Sequence, residues 1–325
     1  MIGKILWLLA ALLLLHVQLA EAQQPKKVYR IGYLSAGSPT SNPARTKAFR
    51  QSLRDLGYIE GQNIVIEVRY LNGNHALIPS LVSELVQLKV DVLISSVYPV
   101  IRAAKQATYT IPIVMVITQD PVETGLIDSF ARPGRNVTGL SLVTRELSGK
   151  RLELLKEVVP SLHVGVLGDM SVSPATALKH YETAARALRI PLRSVGVRGP
   201  KPDFDGAFNA LAKQRVNGLV TIRTVLLVNY VKRIADLALK NKMPSMHEGN
   251  EDVESGGLMS YSANDSDQWR RAARYVDKVL KGANPAELPV EQPTKFDLVI
   301  NLRTAKQIDV PIPPNVLARA DKVIK

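Results

Sequence analysis

The chain has 325 residues, a formal net charge of +13, and 46% hydrophobic residues, so it can build one large or two medium cores. It contains no cysteine, which excludes disulfides, thiolate metal sites, cysteine nucleophiles and the lipidated cysteine of a bacterial lipoprotein. Its lysines and arginines are scattered and not interleaved with aromatic residues, so the charge reads as a basic solvated surface, not a nucleic-acid footprint.

Residues 1–22 carry the marks of a secretory signal peptide: Lys4 in a positive first region, an apolar run over 5–15, and the small-x-small exit Ala20-Glu21-Ala22. The run is shorter than the ~20 residues of a spanning helix. Cleavage after Ala22 is expected, with a soluble product starting at Gln23 and residing in the periplasm.

From there, short β-branched runs alternate with amphipathic stretches. Strands are predicted at 28–35, 63–70, 90–95, 111–117 and 137–142, and helices at 43–56, around 77–86 and at 99–108. The run at 90–95 is nearly all apolar, as in a sheet covered on both faces. This order calls for a parallel, doubly wound sheet. The pattern then restarts, with helices at 149–159, 174–189, 203–215, 226–241 and 265–281 and strands at 164–167, 192–197, 219–222, 258–261 and 296–302. Pro311 to Pro314 break the chain before a short terminal helix. The fold class is therefore α/β with two lobes, each a mainly parallel doubly wound sheet, and a boundary near 142–148.

In open α/β sheets, ligands bind outside the carboxyl ends of the strands. In the first lobe those positions hold Ser35, Ser95, Ser96, Tyr98, Gln119, Asp120 and Ser141. Pro99 suits the first turn of a helix, so Ser96 to Tyr98 precede free N–H groups that can receive a carboxylate or phosphate, or the serines simply cap that helix. Asp120 is either the partner of a ligand ammonium or the cap of a helix starting near Pro121. In the second lobe the strand ends hold Asp169, Arg223, Thr224, Glu248 and Tyr261. Tyr98 and Tyr261 could stack on a flat ligand or serve as wall residues. The Arg223 guanidinium suits a ligand carboxylate, or else it is a surface arginine or pairs with Glu248 or Asp169. The acids Glu248, Glu251, Asp252 and Glu254 read as a helix start or a solvated loop.

Enzyme motifs are scarce. The histidines at 16, 75, 163, 180 and 247 lack metal-ligand spacing, and neither a Walker loop nor a Gly-x-Ser-x-Gly elbow occurs. No catalytic residues, metal or cofactor are expected.

Several strings run in order through nearly the whole chain: AFRQSLRDLGY at 48–58, EGQNI at 60–64, AKQAT at 104–108, DPV at 120–122, RPG at 132–134 and NVTGLS at 136–141. LSGKRLELLK at 147–156, GGLMSY at 256–261 and LPVEQPTKF at 288–296 follow. In these the chain resembles the ABC transporter substrate-binding proteins of the tryptophan/tyrosine-binding type. The resemblance implies a type I periplasmic-binding-protein fold with three crossings between lobes, and no catalysis. It implies a monomeric receptor that takes a small polar molecule, an amino acid or related carboxylate, to an inner-membrane permease with a cytoplasmic ATPase. A ligand-presenting sensory partner of a membrane receptor and a secreted α/β enzyme are the rival functions.

The first lobe is expected to comprise 23–142 and 263–285, and the second 143–262 and 286–325. The chain departs from the family pattern at 95–98, 168–170, 223–225 and 262–264, where specificity should lie, so aromatic amino-acid specificity does not transfer.

Overall fold

The computed structural model describes residues 27–39, 43–142, 144, 146–170, 175–199 and 201–325. The expected signal peptide lies outside the described residues. Strand β1 (Tyr29–Ser35) is flanked by β2 (Ile64–Tyr70) and β3 (Val92–Ser95), and β4 (Ile113–Ile117) and β5 (Val137–Ser141) complete a five-stranded sheet in the order β2-β1-β3-β4-β5. Every pairing in it is parallel. Strands β3, β4 and β5 are buried along their whole length, as a sheet covered on both faces requires.

Helix α1 (Pro43–Asp55) covers one face, placing Phe49 and Leu53 against Ile31, Ile94 and Val116. Helices α2 (Ile78–Gln87) and α3 (Tyr98–Ala107) cover the other, with Leu85 and Ile101 against Leu34, Leu93 and Met115. The segment after β4 is a hydrogen-bonded turn, not the helix expected near Pro121. Leu126 and Ile127 both donate to the Pro121 carbonyl, and Gly125 takes a positive φ of 70° that closes the turn. Gly139 in β5 has φ 129°, and a Cβ there would lie 2.2 Å from the Met115 carbonyl oxygen, so only glycine lets β5 approach β4 at this point.

The second sheet has seven strands in the order β12-β11-β10-β9-β8-β6-β7. It uses β6 (Val164–Asp169), β7 (Leu192–Val197), β8 (Gly218–Thr221), β9 (Ser245–His247), β10 (Met259–Ala263), β11 (Phe296–Asn301) and β12 (Lys322–Ile324). One face packs on α4 (Ser148–Val158) and α5 (Ala175–Ala187), the other on α6 (Phe204–Lys213) and α8 (Val231–Lys240). The single expected helix over 226–241 is two, α7 (Val225–Val228) and α8, because Asn229 and Tyr230 close the first turn. Strands β9 and β12 were not among the expected strands: each has only three residues, too short to show an alternation.

After β10 the chain crosses back. Helix α10 (Asp265–Leu280) lies on the first sheet and buries Trp269, Ala273 and Val276 among the residues of α1 and β4. Residues 286–292, expected in the second lobe, remain on the first: Val290 N–H donates to Phe130 and lies in that core, and Glu291 N–H donates to Gly139. The chain crosses again before β11. That return reaches the second sheet at the end where β10 stops, pairing Phe296 with Ala263, so β11 runs antiparallel to β10 while every other pairing is parallel. No helix among the described residues is long and apolar enough to cross a membrane.

Candidate functional site

The carboxyl ends of β1, β3, β4 and β5 face those of β8, β9 and β10 across a cleft of about 480 Å³. Ala36, Val97, Val116, Leu142, Ile222 and Trp269 give it apolar walls. Of the residues expected from the sequence, Ser35, Ser96, Tyr98, Gln119, Arg223, Thr224 and Glu248 line the cleft.

The other expected residues have different surroundings and do not line it. The Ser95 hydroxyl donates to the Leu34 carbonyl at 2.8 Å and accepts from the Val97 N–H at 3.1 Å. Asp120 caps the turn that stands where a helix was expected, with Oδ1 accepting from the Val122 N–H at 2.7 Å and the Glu123 N–H at 3.0 Å. Ser141 is buried and its hydroxyl donates to the Gln119 carbonyl at 3.4 Å. Asp169 is buried at the end of β6. Tyr261 lies in the middle of β10 and packs against Phe296 of β11 with ring centroids 5.9 Å apart.

Helix α3 opens onto the cleft. Its cap, Val97, offers no side-chain oxygen, and Pro99 occupies the first turn, so the Tyr98 and Val100 amides have no side-chain cap. The positive end of the helix dipole therefore faces the cleft. The Ser96 hydroxyl has no hydrogen-bond partner among the described residues, and the Gln119 amide nitrogen donates to none. Arg102 lies at the rim, its guanidinium 6.0 Å from the Tyr98 ring and not paired with an acid among the described residues.

The opposite wall is a buried charge network. Arg151, fully buried, donates from Nη1 to Glu248 Oε1 at 3.2 Å and from Nε to the Tyr261 carbonyl at 2.9 Å. Tyr181 donates to the same Glu248 oxygen at 2.8 Å, and the Arg223 N–H donates to Glu248 Oε2 at 2.9 Å. The Arg223 guanidinium pairs with Glu251, so neither of its expected acid partners, Glu248 or Asp169, holds that group. Arg45 of α1 pairs with Asp265 at 2.6 Å and reaches Glu251 at 3.9 Å, joining the two lobes.

Burial works against charge on Glu251, but Arg223 and Arg45 outweigh it and hold this carboxyl at about 2. Burial likewise opposes charge on Arg223, and Glu251 overcomes it, leaving the guanidinium above its ordinary range. Asp252 is pushed up to about 8, first by burial and then by Glu251. His247 is pushed down to about 4 by burial. The 3.7 Å approach of His247 to Asp252 is therefore a contact between neutral groups across neutral pH and not an ion pair. The acids at 248, 251 and 252 are thus built into the lobe and are not a solvated loop.

Sequence reasoning missed Arg45, Arg151, Tyr181 and Trp269. A usable signal existed for two of them: Arg151 shares the helical face of Leu155 and Val158, and Tyr181 that of Ala177 and Ala185. A polar group on an apolar stripe calls for a buried partner.

Among the described residues there is no group of three or more histidines, cysteines or acids able to hold a metal ion. The family described as ABC transporter substrate binding protein matches residues 38–324. The chain belongs to this family. It is similar to the tyrosine-binding protein of Clostridioides difficile, with 28% identity over 288 residues, covering 88% of this chain and 82% of the relative. A conserved domain protein from Vibrio cholerae has the same fold, with a TM-score of 0.84, 27% identity, and coverage of 91% of this chain and 100% of that one. The ABC domain from Streptococcus pneumoniae solved in complex with L-Trp superposes with a TM-score of 0.81 at 24% identity, over 92% of this chain and 100% of that one. The two-lobed type I periplasmic-binding fold follows, as does the role of a solute-binding protein. The family pairs such a receptor with a small-molecule ligand and an ABC permease.

Proposed function

We propose that the protein is the periplasmic receptor of an ABC importer. It captures a small molecule bearing a carboxylate, an amino acid or a related acid, between its lobes and delivers it to an inner-membrane permease driven by a cytoplasmic ATPase. The observation that carries this reading is the distribution of unengaged donors. At one end of an apolar cleft they are the first-turn amides of α3, the Ser96 hydroxyl, the Gln119 amide and the Arg102 guanidinium. An anion gains from all four, and apolar walls receive the rest of the molecule. The volume suits a solute of one or two rings, or an aliphatic chain of similar size. Contact with both lobes favours the closed state by the ligand's differential affinity for it. An enzymatic role gains no support from the cleft, where Glu248 is paired with Arg151 and Asp265 with Arg45.

Mass spectrometry of small molecules released from protein purified from its native periplasm, followed by calorimetry on the hits, tests this. A carboxylate-bearing solute is expected, and Arg102→Ala should weaken its binding about tenfold, since an exposed charge-assisted contact contributes roughly 1–1.5 kcal/mol. Recovery of an uncharged solute with affinity untouched by Arg102→Ala would defeat the reading.

A further inference from the structure

Resting on the carboxylate reading above, we propose that the cognate solute is an apolar carboxylate that carries no α-ammonium group, and that the cleft discriminates against the corresponding amino acid.

The argument is an accounting of negative charge around the cleft. An amino acid presents a carboxylate and an ammonium on one carbon. Once the carboxylate sits at the α3 end, the ammonium has to leave water nearby, and that is unfavourable without an unspent acid or several acceptors. Three acids line the cleft: Glu123, Glu248 and Asp265. Glu248 is the most buried of the three and is already neutralised by Arg151. Its Oε1 takes hydrogen bonds from Arg151 and Tyr181, and its Oε2 takes one from the Arg223 amide. Asp265 is held by Arg45 at 2.6 Å and sits in the first turn of α10, where the helix dipole already stabilises it. Glu251, just behind this wall, is paired with Arg223 and lies near Arg45.

Glu123 alone has no cationic partner among the described residues, and it is exposed at the rim, where water screens any contact it makes. The interior segments outside the described residues, 40–42, 143, 145, 171–174 and 200, contain no Asp or Glu, so they add no acid to the count. Bringing an ammonium beside the Arg151–Glu248 or Arg45–Asp265 pair places it next to a group with no net charge and close to a guanidinium. The donors at the α3 end are unengaged, whereas the acids on the opposite wall are engaged. The site can recognise an anion and an apolar body, and it has no charge left for an ammonium.

The test compares matched pairs by calorimetry on the protein lacking residues 1–22: L-phenylalanine with 3-phenylpropanoate, L-tyrosine with 3-(4-hydroxyphenyl)propanoate, L-tryptophan with indole-3-propanoate, and L-leucine with 4-methylpentanoate. In every pair with a measurable member, the deaminated acid is expected to bind at least about tenfold more tightly. Equal or tighter binding of the amino acid overturns the inference and leaves the receptor reading standing. Failure of all eight compounds to bind overturns both.

Arg45→Gln, which releases Asp265, supplies a second readout. Loss of the Arg45 bridge affects closure on both members of a pair alike, so their affinity ratio isolates the freed carboxylate. That ratio should move at least about fivefold toward the amino acid. An unchanged ratio in the folded variant overturns the charge accounting. Glu123→Gln should leave the wild-type ratio as it is, and a large change there would place the ammonium at the rim and overturn the inference as well.

Discussion

Asp120 lies in the loop after β4, and its carboxylate is engaged by the backbone of its own turn. Its carboxylate accepts from the Val122 and Glu123 amides and holds the turn that follows β4. Asp120→Ala should therefore lower stability by about 1 kcal/mol, as loss of a cap does, and leave ligand affinity unchanged by calorimetry. His247, Asp252 and Glu251 set the pH dependence of the second lobe. Glu251 is lowered from 4.5 to about 2, so the unfolded chain binds more protons between those values and stability rises with pH there. His247, lowered from 6.5 to about 4, adds a rise between 4 and 6.5. Asp252 is raised from 3.8 to about 8, so the native state holds the extra proton and stability falls with pH across that window. The His247 and Asp252 effects oppose each other up to about pH 6.5, and above it the Asp252 effect stands alone. Urea melts should show stability rising from pH 2 to 4.5, little change to 6.5, then a decline toward 8 that Asp252→Asn abolishes.

Helix α10 is the element on which the architecture turns. It follows a strand of the second sheet in sequence but belongs to the core of the first. Trp269, 1% exposed, packs edge-on to Phe49 at 5.8 Å and lies 5.3 Å from the Tyr33 ring. It also lines the cleft, with the Arg45 guanidinium over the ring at 5.6 Å from its centroid. Trp269→Ala should cost about 3–5 kcal/mol, the range for removing a large buried ring, measured as a lower urea midpoint. The chain has two tryptophans, Trp7 and Trp269, so protein without residues 1–22 has one, at the cleft. Its emission should shift on titration with any solute that enters.

At the scale of the whole molecule, the Arg45–Glu251 approach spans the two lobes beside the crossing into α10, while Asp265 holds the same arginine. A charge contact between the lobes stabilises the arrangement that holds them together over one that separates them. Arg45→Ala should enlarge the radius of gyration of the ligand-free protein in small-angle X-ray scattering, with saturating ligand bringing it back toward the wild-type value. An unchanged radius would remove the bridge from the closing equilibrium.

Periodicity along the chain was enough for the α/β class, for two sheets, and for most strands, because parallel strands buried on both faces read as continuous apolar runs and their covering helices as amphipathic stripes. Seven of the strand-end residues line the cleft, because the topology of an open sheet opens a crevice at those ends. The sequence did not reveal that Glu248 is spent on Arg151, 97 positions away, that Glu251 takes the guanidinium of Arg223, or that Arg45 reaches across to the second lobe. Those pairings join residues with no local pattern in common, and they exist because packing sets α4 beside β9 and brings Arg45 of α1 opposite Glu251 of α9 (Asn250–Glu254). The types of side chain at the cleft were therefore written in the linear order, while the charges left available to a ligand were decided only when the two lobes folded and paired the rest.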